Sequence, residues 1–183
     1  MGVVISMLRG VNLAGHRKVQ MSELKALYES IGLRSVQTYI NSGNVIFKTT
    51  GRDLARLGKK IEDAIESHCG FRSDVILRTP AEMRAAIAAN PFASRPDLEP
   101  SRLAVSFLAG EPRAEAVEKV LSIEAEPEEL RISGRHVYIY FPNGMARPKL
   151  SMAQVERTLK TPGTSRNLNT VRKLLEMAEA LDA

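Results

Sequence analysis

Apolar and polar positions along this chain fall into blocks whose period changes in a regular order. Residues 2–9 (GVVISMLR) form an almost unbroken apolar run rich in β-branched side chains, the pattern of a central strand buried on both faces. The spacing then becomes helical. Leu24, Leu27, Tyr28 and Ile31 recur at i, i+3, i+4 and i+7, with Ser22 placed as an N-cap and Gly32 where a left-handed C-terminal cap is wanted. Two short strands, 36–40 and 45–48, follow across Asn41-Ser42-Gly43-Asn44, a hairpin turn. A longer helix over 53–69 carries Leu54, Leu57, Ile61 and Ile65 on one face, and a strand over 74–78 closes the unit. The order β-α-β-β-α-β is the ferredoxin-like split βαβ arrangement. Its right-handed crossovers set both helices on one face of an antiparallel sheet.

The second half has a similar rhythm. Thr79-Pro80-Ala81-Glu82 is a capping box with proline at the first helical position, opening a short helix that ends at Asn90-Pro91. Pro91, Pro96 and Pro100 then mark a wandering connection. A strand over 103–108, a helix over 113–122, and a hairpin of 130–133 with 136–141 across Gly134-Arg135 follow. Ser151-Met152-Ala153-Gln154 opens a helix with Met152, Val155 and Leu159 inward, and a last helix begins near 167–169. The expected order is β-α-β-β-α-α, the first half with its last strand replaced by a helix, and no sequence repeat accompanies the likeness. The fold class is therefore α+β: two ferredoxin-like modules, 1–79 and 103–183, with antiparallel sheets, helices on one face of each, and 80–102 as the connection.

Composition narrows the class without naming a reaction. The 183 residues weigh 20.2 kDa, with 44% apolar and 26% charged, an ordinary globular balance large enough for a buried core. Cys69 is the single cysteine, so no internal disulfide forms. The apolar runs fall far short of the ~20 residues a membrane helix needs, and residues 1–10 do not read as a signal peptide. A cytoplasmic protein without membrane attachment, monomer or homodimer, is expected. The net charge of +5 is uneven. Between 147 and 173 stand Arg147, Lys149, Arg157, Lys160, Arg166, Arg172 and Lys173 against Glu156 alone, which is +6 and leaves −1 for the remainder. Such a face attracts phosphates.

Two segments carry candidate chemistry. Residues 9–18 read Arg-Gly-Val-Asn-Leu-Ala-Gly-His-Arg-Lys, a loop between strand and helix. Its two glycines invite comparison with a phosphate-binding P-loop, but His16 and Arg17 stand where the lysine and hydroxyl should follow. What remains is a glycine-permissive loop with Arg9, Asn12, His16, Arg17 and Lys18 and no acid, suited to holding an anion. The second segment contains Thr164, Arg166, Asn167, Asn169 and Thr170 at the start of the last helix, where free amides and the macrodipole favour negative charge. The expectation is that both segments form one cleft between the modules, with Arg9 and Arg166 on the anion and Asn12 and Asn169 orienting it. His16, His68 and His136 are scattered and offer no metal-ligand spacing, and no nucleophile elbow or Cys/His pair is present. No metal or cofactor is expected. Aromatics at 5% with no tryptophan give little for base stacking.

The runs LRGVNLAGHRKVQMSELK, TYINSGNVIF, Asn90-Pro91-Phe92 and GTSRNLNTVRKL together resemble the bacterial family called domain of unknown function 1697, in the same order and across essentially the whole chain. The resemblance implies an α+β fold of two ferredoxin-like halves and implies no activity or catalytic residues. The chain departs from the family pattern at Leu168, where tryptophan is common, and at Pro148, where serine is common. Three functions remain open: binding of a small anion or nucleotide, weak nucleic-acid binding through the 147–173 face, and an enzyme acting on a phosphorylated metabolite.

Overall fold

A computed structural model of the chain describes residues 1–183 and separates into two compact units, 1–84 with 173–183 and 85–172. In the first, β1 (Gly2–Leu8), α1 (Met21–Ser30), β2 (Arg34–Tyr39), β3 (Asn44–Thr49), α2 (Leu54–Cys69) and β4 (Val75–Arg78) build one antiparallel sheet in the order β2-β3-β1-β4. Chain order and sheet order are those of a split βαβ unit. Alternation along β1 sends Val4, Ser6 and Leu8 to one face, where Leu24, Leu27 and Tyr28 of α1 and Leu57, Ile61 and Ile65 of α2 cover them. Tyr28 fits this packing because its hydroxyl, which would otherwise be stranded, meets Ser6 Oγ at 2.8 Å. The opposite face, with Val3, Ile5, Met7, Ile46 and Ile76, is buried as well, which is why β1 reads as an unbroken apolar run.

The helix boundaries follow from their caps. Asp53 accepts from Arg56 N at 3.0 Å to start α2, and Gly70 ends it in the left-handed region. For α1 the expected N-cap Ser22 lies inside the helix. The cap is Gln20, whose backbone N–H donates to the Glu23 carboxylate. Thr79 and Glu82 bond reciprocally, as a capping box requires, at the start of α3 (Pro80–Ala88). Arg84 of α3 pairs with Glu179 on the last helix at 2.5 Å.

The second unit contains β5 (Leu103–Leu108), α4 (Ala114–Leu121), β6 (Glu129–Ser133), β7 (His136–Tyr140), α5 (Met152–Leu159) and β8 (Gly163–Asn167), with α6 (Leu168–Asp182) following directly. Its sheet runs β6-β7-β5-β8, all antiparallel. Here the expectation needs correction. Residues 163–167 are a strand and not part of a helix start, so the unit is a complete β-α-β-β-α-β. The helix face carries Ala104, Leu108, Val137 and Ile139 under Val120, Val155 and Leu159.

The registers expose a repeat that the sequence concealed. Ser6 pairs with Val45 and Leu77, and Ser106 pairs with Val137 and Ser165. Leu8 N donates to Gly43 O and Arg9 N to Asp74 O; one hundred residues on, Leu108 N donates to Arg135 O and Ala109 N to Pro162 O. VISMLRG and AVSFLAG are thus structurally equivalent. Arg78 and Arg166 occupy matching places, opposite Ile5 and Val105, and are 2% and 9% exposed.

Candidate functional site

Beyond Arg9 the two units diverge. The second crosses from β5 to α4 in five residues, 109–113, whereas the first takes twelve, 9–20, between β1 and α1. Their hairpins differ likewise: two residues, 134–135, against four, 40–43. Both elaborations of the first unit sit at one place and bond to each other. The Asn12 side-chain amide donates to Val19 O at 2.9 Å, Asn41 O at 3.1 Å and Asn41 Oδ1 at 3.0 Å, while its Oδ1 accepts from Val19 N at 2.9 Å. Asn12 N donates to Arg17 O at 3.1 Å, so residues 13–16 project as a closed turn. Val11 and Val19 are buried on either side and fix its base.

The loop is conformationally costly. Asn12, Ala14, Arg17 and Ile40 adopt positive φ of 54°, 48°, 47° and 48°, four of the six non-glycine residues in the chain that do so. For Ala14, Arg17 and Ile40 this costs on the order of 1–3 kcal/mol each unless the surroundings enforce it, whereas asparagine tolerates the left-handed region. The close approach of the turn is absolute at Gly43, where a Cβ would stand 2.7 Å from Val11 and 2.8 Å from Leu8.

Between loop and turn lies an open cleft of about 490 Å³ lined by Asn12, Gly15, Lys18, Gln20, Glu23 and Asn41. That size is in the range of small-molecule sites. His16, Arg17 and Lys18 are exposed and form no ion pair. Arg9 differs: its guanidinium lies 3.4 Å from Asp74 Oδ2, and Ser73 Oγ donates to its carbonyl. Acids absent from the loop itself thus come from outside it, Asp74 beneath Arg9 and Glu23 on the cleft wall. Asn12 is the organiser of the loop, its amide spent on backbone and on Asn41. Asn41, Gln20 and Glu23 were not anticipated as lining. The signal was present, in a turn with one more amide than a hairpin needs and a Gln/Glu pair three residues apart.

The second predicted segment has another character. On β8, Thr164 and Arg166 point to a buried face, and Arg166 Nη1 donates to Thr164 Oγ1 at 2.8 Å and Ser165 O at 2.9 Å. Burial pulls its guanidinium down to about 10, so it stays protonated at neutral pH. Asn167 Oδ1 accepts from Thr170 N at 2.9 Å, capping α6. Thr170 is buried, Asn167 is half-buried, and Asn169 is exposed. Leu168 is buried beside a pocket of about 120 Å³ with Asn90, Phe92, Arg95, Glu99 and Arg172, in which Arg95 is held by Glu129 at 2.7 Å and Asp97 at 3.1 Å. The two predicted segments lie in different units, 9–18 in the first and 163–170 in the second.

No group of three or more His, Cys, Asp or Glu is placed to hold a metal. Burial pushes the Cys69 thiol up, away from the reactive thiolate. Of the sheet aromatics, Phe47, Phe107 and Tyr138 are fully buried, Tyr140 is buried and Tyr39 on the edge strand β2 is half-buried; Tyr138 Oη donates to Ala86 O at 2.6 Å. No helix is long and apolar enough to cross a membrane.

The model of the DUF1697 family, described as a protein of unknown function, matches residues 1–138. The chain belongs to this family. The match takes in the 9–20 loop, the 40–43 turn and Asn90-Pro91-Phe92, and ends within β7, ahead of the 163–170 segment. The DUF1697 chain is also similar to a solved structure, the conserved bacterial protein SP0830 from Streptococcus pneumoniae. That likeness covers 97% of this chain and 98% of that one at 28% identity and a TM-score of 0.72. It extends to both units. No curated protein matches the chain.

Proposed function

We propose that this DUF1697 chain binds a small anionic ligand in the cleft between the 9–20 loop and the 40–43 turn. The observation that carries the reading is the paired elaboration. A second unit of the same topology closes both connections with shorter segments, so the fold does not require them. Their strained backbone and the mutual Asn12–Asn41 bonds serve something other than stability. The charge supports an anion, because His16, Arg17 and Lys18 are exposed on one loop without acidic partners and Lys18 lines the cleft.

The test is a thermal-shift titration with inorganic phosphate and pyrophosphate at low and at 0.15 M salt, on the full chain and on the double variant Arg17→Ala, Lys18→Ala. A bound anion at 100 times its dissociation constant stabilises by ~2.7 kcal/mol, and the double variant should lose that shift while keeping the melting temperature of the free protein. An unchanged shift in the variant, or none with either anion, defeats the reading.

A further inference from the structure

We infer that the first unit carries a second anion site, at the opposite end of its sheet from the 9–20 loop, built for a linear oligophosphate. This site does not depend on the loop reading. β1 pairs Gly2 with Thr49 and Met7 with Asn44, so the 40–43 turn lies at one end of β1 and the 50–53 connection at the other, on the order of 20 Å away. There a cavity of about 600 Å³ opens between the end of α1 and the start of α2. Its lining includes Gly32, Thr50, Arg52, Asp53, Arg56 and Lys60. Three cations against one carboxylate leave a balance of +2. The carboxylate, Asp53, is the cap of α2 and accepts from Arg56 N at 3.0 Å. Arg52 and Arg56 are exposed, and neither guanidinium makes an ion pair. The acids further along α2 are engaged elsewhere, Glu62, Asp63 and Glu66 on Arg72 and Asp63 on Lys59 as well. Lys60 Nζ donates to Ile31 O at 2.8 Å, the carbonyl at the end of α1, which holds the ammonium at the cavity wall with N–H groups to spare.

Stability does not account for these cations. Arg56 and Lys60 are like charges one helical turn apart, an arrangement that weakens a helix. Arg56 stands in the first turn of α2, which holds no acid and where the helix dipole disfavours positive charge. Nor does the fold require them. Asp53 and Ser151 are matching caps in the two units, each accepting from the amide three residues on. Counted from these caps, Arg52, Arg56 and Lys60 correspond to Leu150, Gln154 and Thr158, none of them charged. Leu150 is buried and its N–H donates to Glu128 Oε2 at 3.0 Å, so the equivalent place holds an apolar side chain and an acid. The three cations of the first unit are spread over about two helical turns, on the order of 12 Å. A single phosphate meets one of them at a time, whereas a chain of linked phosphates meets all three, with each arginine fork on a pair of oxygens and the lysine as a point charge.

Calorimetric titration with tripolyphosphate, inorganic phosphate and citrate tests this, on the full chain carrying Arg17→Ala and Lys18→Ala so that the loop contributes nothing. Tripolyphosphate should bind at least about tenfold more tightly than phosphate or the compact trianion citrate. Adding Arg52→Gln and Arg56→Gln should weaken it at least about tenfold. The melting temperature without ligand should stay level or rise, because a repulsion between like charges is removed. Arg34→Gln with Lys48→Gln removes the same charge from residues outside the cavity and should leave the affinity nearly unchanged. An equal loss from both pairs would mean attraction by net charge and no site. If phosphate or citrate binds as tightly as tripolyphosphate, the linear oligophosphate is the wrong ligand. If a short oligothymidylate binds more tightly, the cations belong to a nucleic-acid surface and the small-ligand assignment is overturned. Absence of tripolyphosphate binding defeats the second site and leaves the loop reading untouched.

Discussion

Gly43 and Arg166 show how differently a single residue can be read from its neighbours in sequence and from its neighbours in space. In Asn41-Ser42-Gly43-Asn44 the glycine is one of four turn formers. In the fold it has φ of 75° and backbone contact with the end of β1, with Leu8 N donating to its carbonyl at 2.9 Å. Gly43→Ala should cost at least about 2 kcal/mol, from overpacking against Val11 and Leu8 together with left-handed strain. Chemical denaturation measures it, and a loss below half a kcal/mol would mean that the turn can move away from β1. Arg166 has the chemistry of an anion clamp, yet it is buried with its guanidinium on Thr164 and its own strand. Arg166→Ala should lower stability by about 1–3 kcal/mol, by the same amount with and without ligand. A variant as stable as the parent but unable to bind would instead give the arginine to the site.

At the scale of elements, the hydrophobic period sufficed wherever an apolar stripe faced one side, even at α1, where the cap is Gln20 and not Ser22. For α2, Leu57, Ile61 and Ile65 are buried as their spacing requires. Ile61 lies wholly inside the core of the first unit. Ile61→Ala should therefore destabilise by ~2–5 kcal/mol, read from the denaturation midpoint; less than 1 kcal/mol would mean that the surrounding side chains collapse into the space. Strand β8 illustrates the failure. Gly163-Thr164-Ser165-Arg166-Asn167 has no apolar alternation, and the residues it turns inward are Thr164 and Arg166. A strand whose inward positions are polar and whose existence depends on pairing with β5, sixty residues earlier, has no local signature. It looks like a helix start because Asn167 is one, and the strand runs straight into its own cap.

Over the whole molecule, the most informative fact is that two units share a topology and only one bears the long loop and the long turn. If these are functional additions to a sufficient fold, they can be trimmed. Replacing Leu13, Ala14, Gly15 and His16 by Gly-Gly closes the turn across the Asn12 N to Arg17 O bond. It should leave cooperative unfolding with a midpoint shifted by only a few degrees, since none of the four residues is buried, and it should abolish anion-dependent stabilisation. Loss of folding would show that the loop is structural. The chain's own letters determined the α+β class, the order of elements through α5, the capping residues Thr79 and Ser151, and the basic character of the 9–18 loop. These depend on periodicity and on contacts a few residues apart, which one-dimensional order preserves. Only the tertiary structure decided that residues 163–167 form a strand, that Arg166 is interior, that Glu23 and Asp74 bring acid to a loop that has none, and that Asn12 meets Asn41. Each of these depends on which distant segments share a sheet register, and register is set by the burial of whole faces at once rather than by any stretch of sequence.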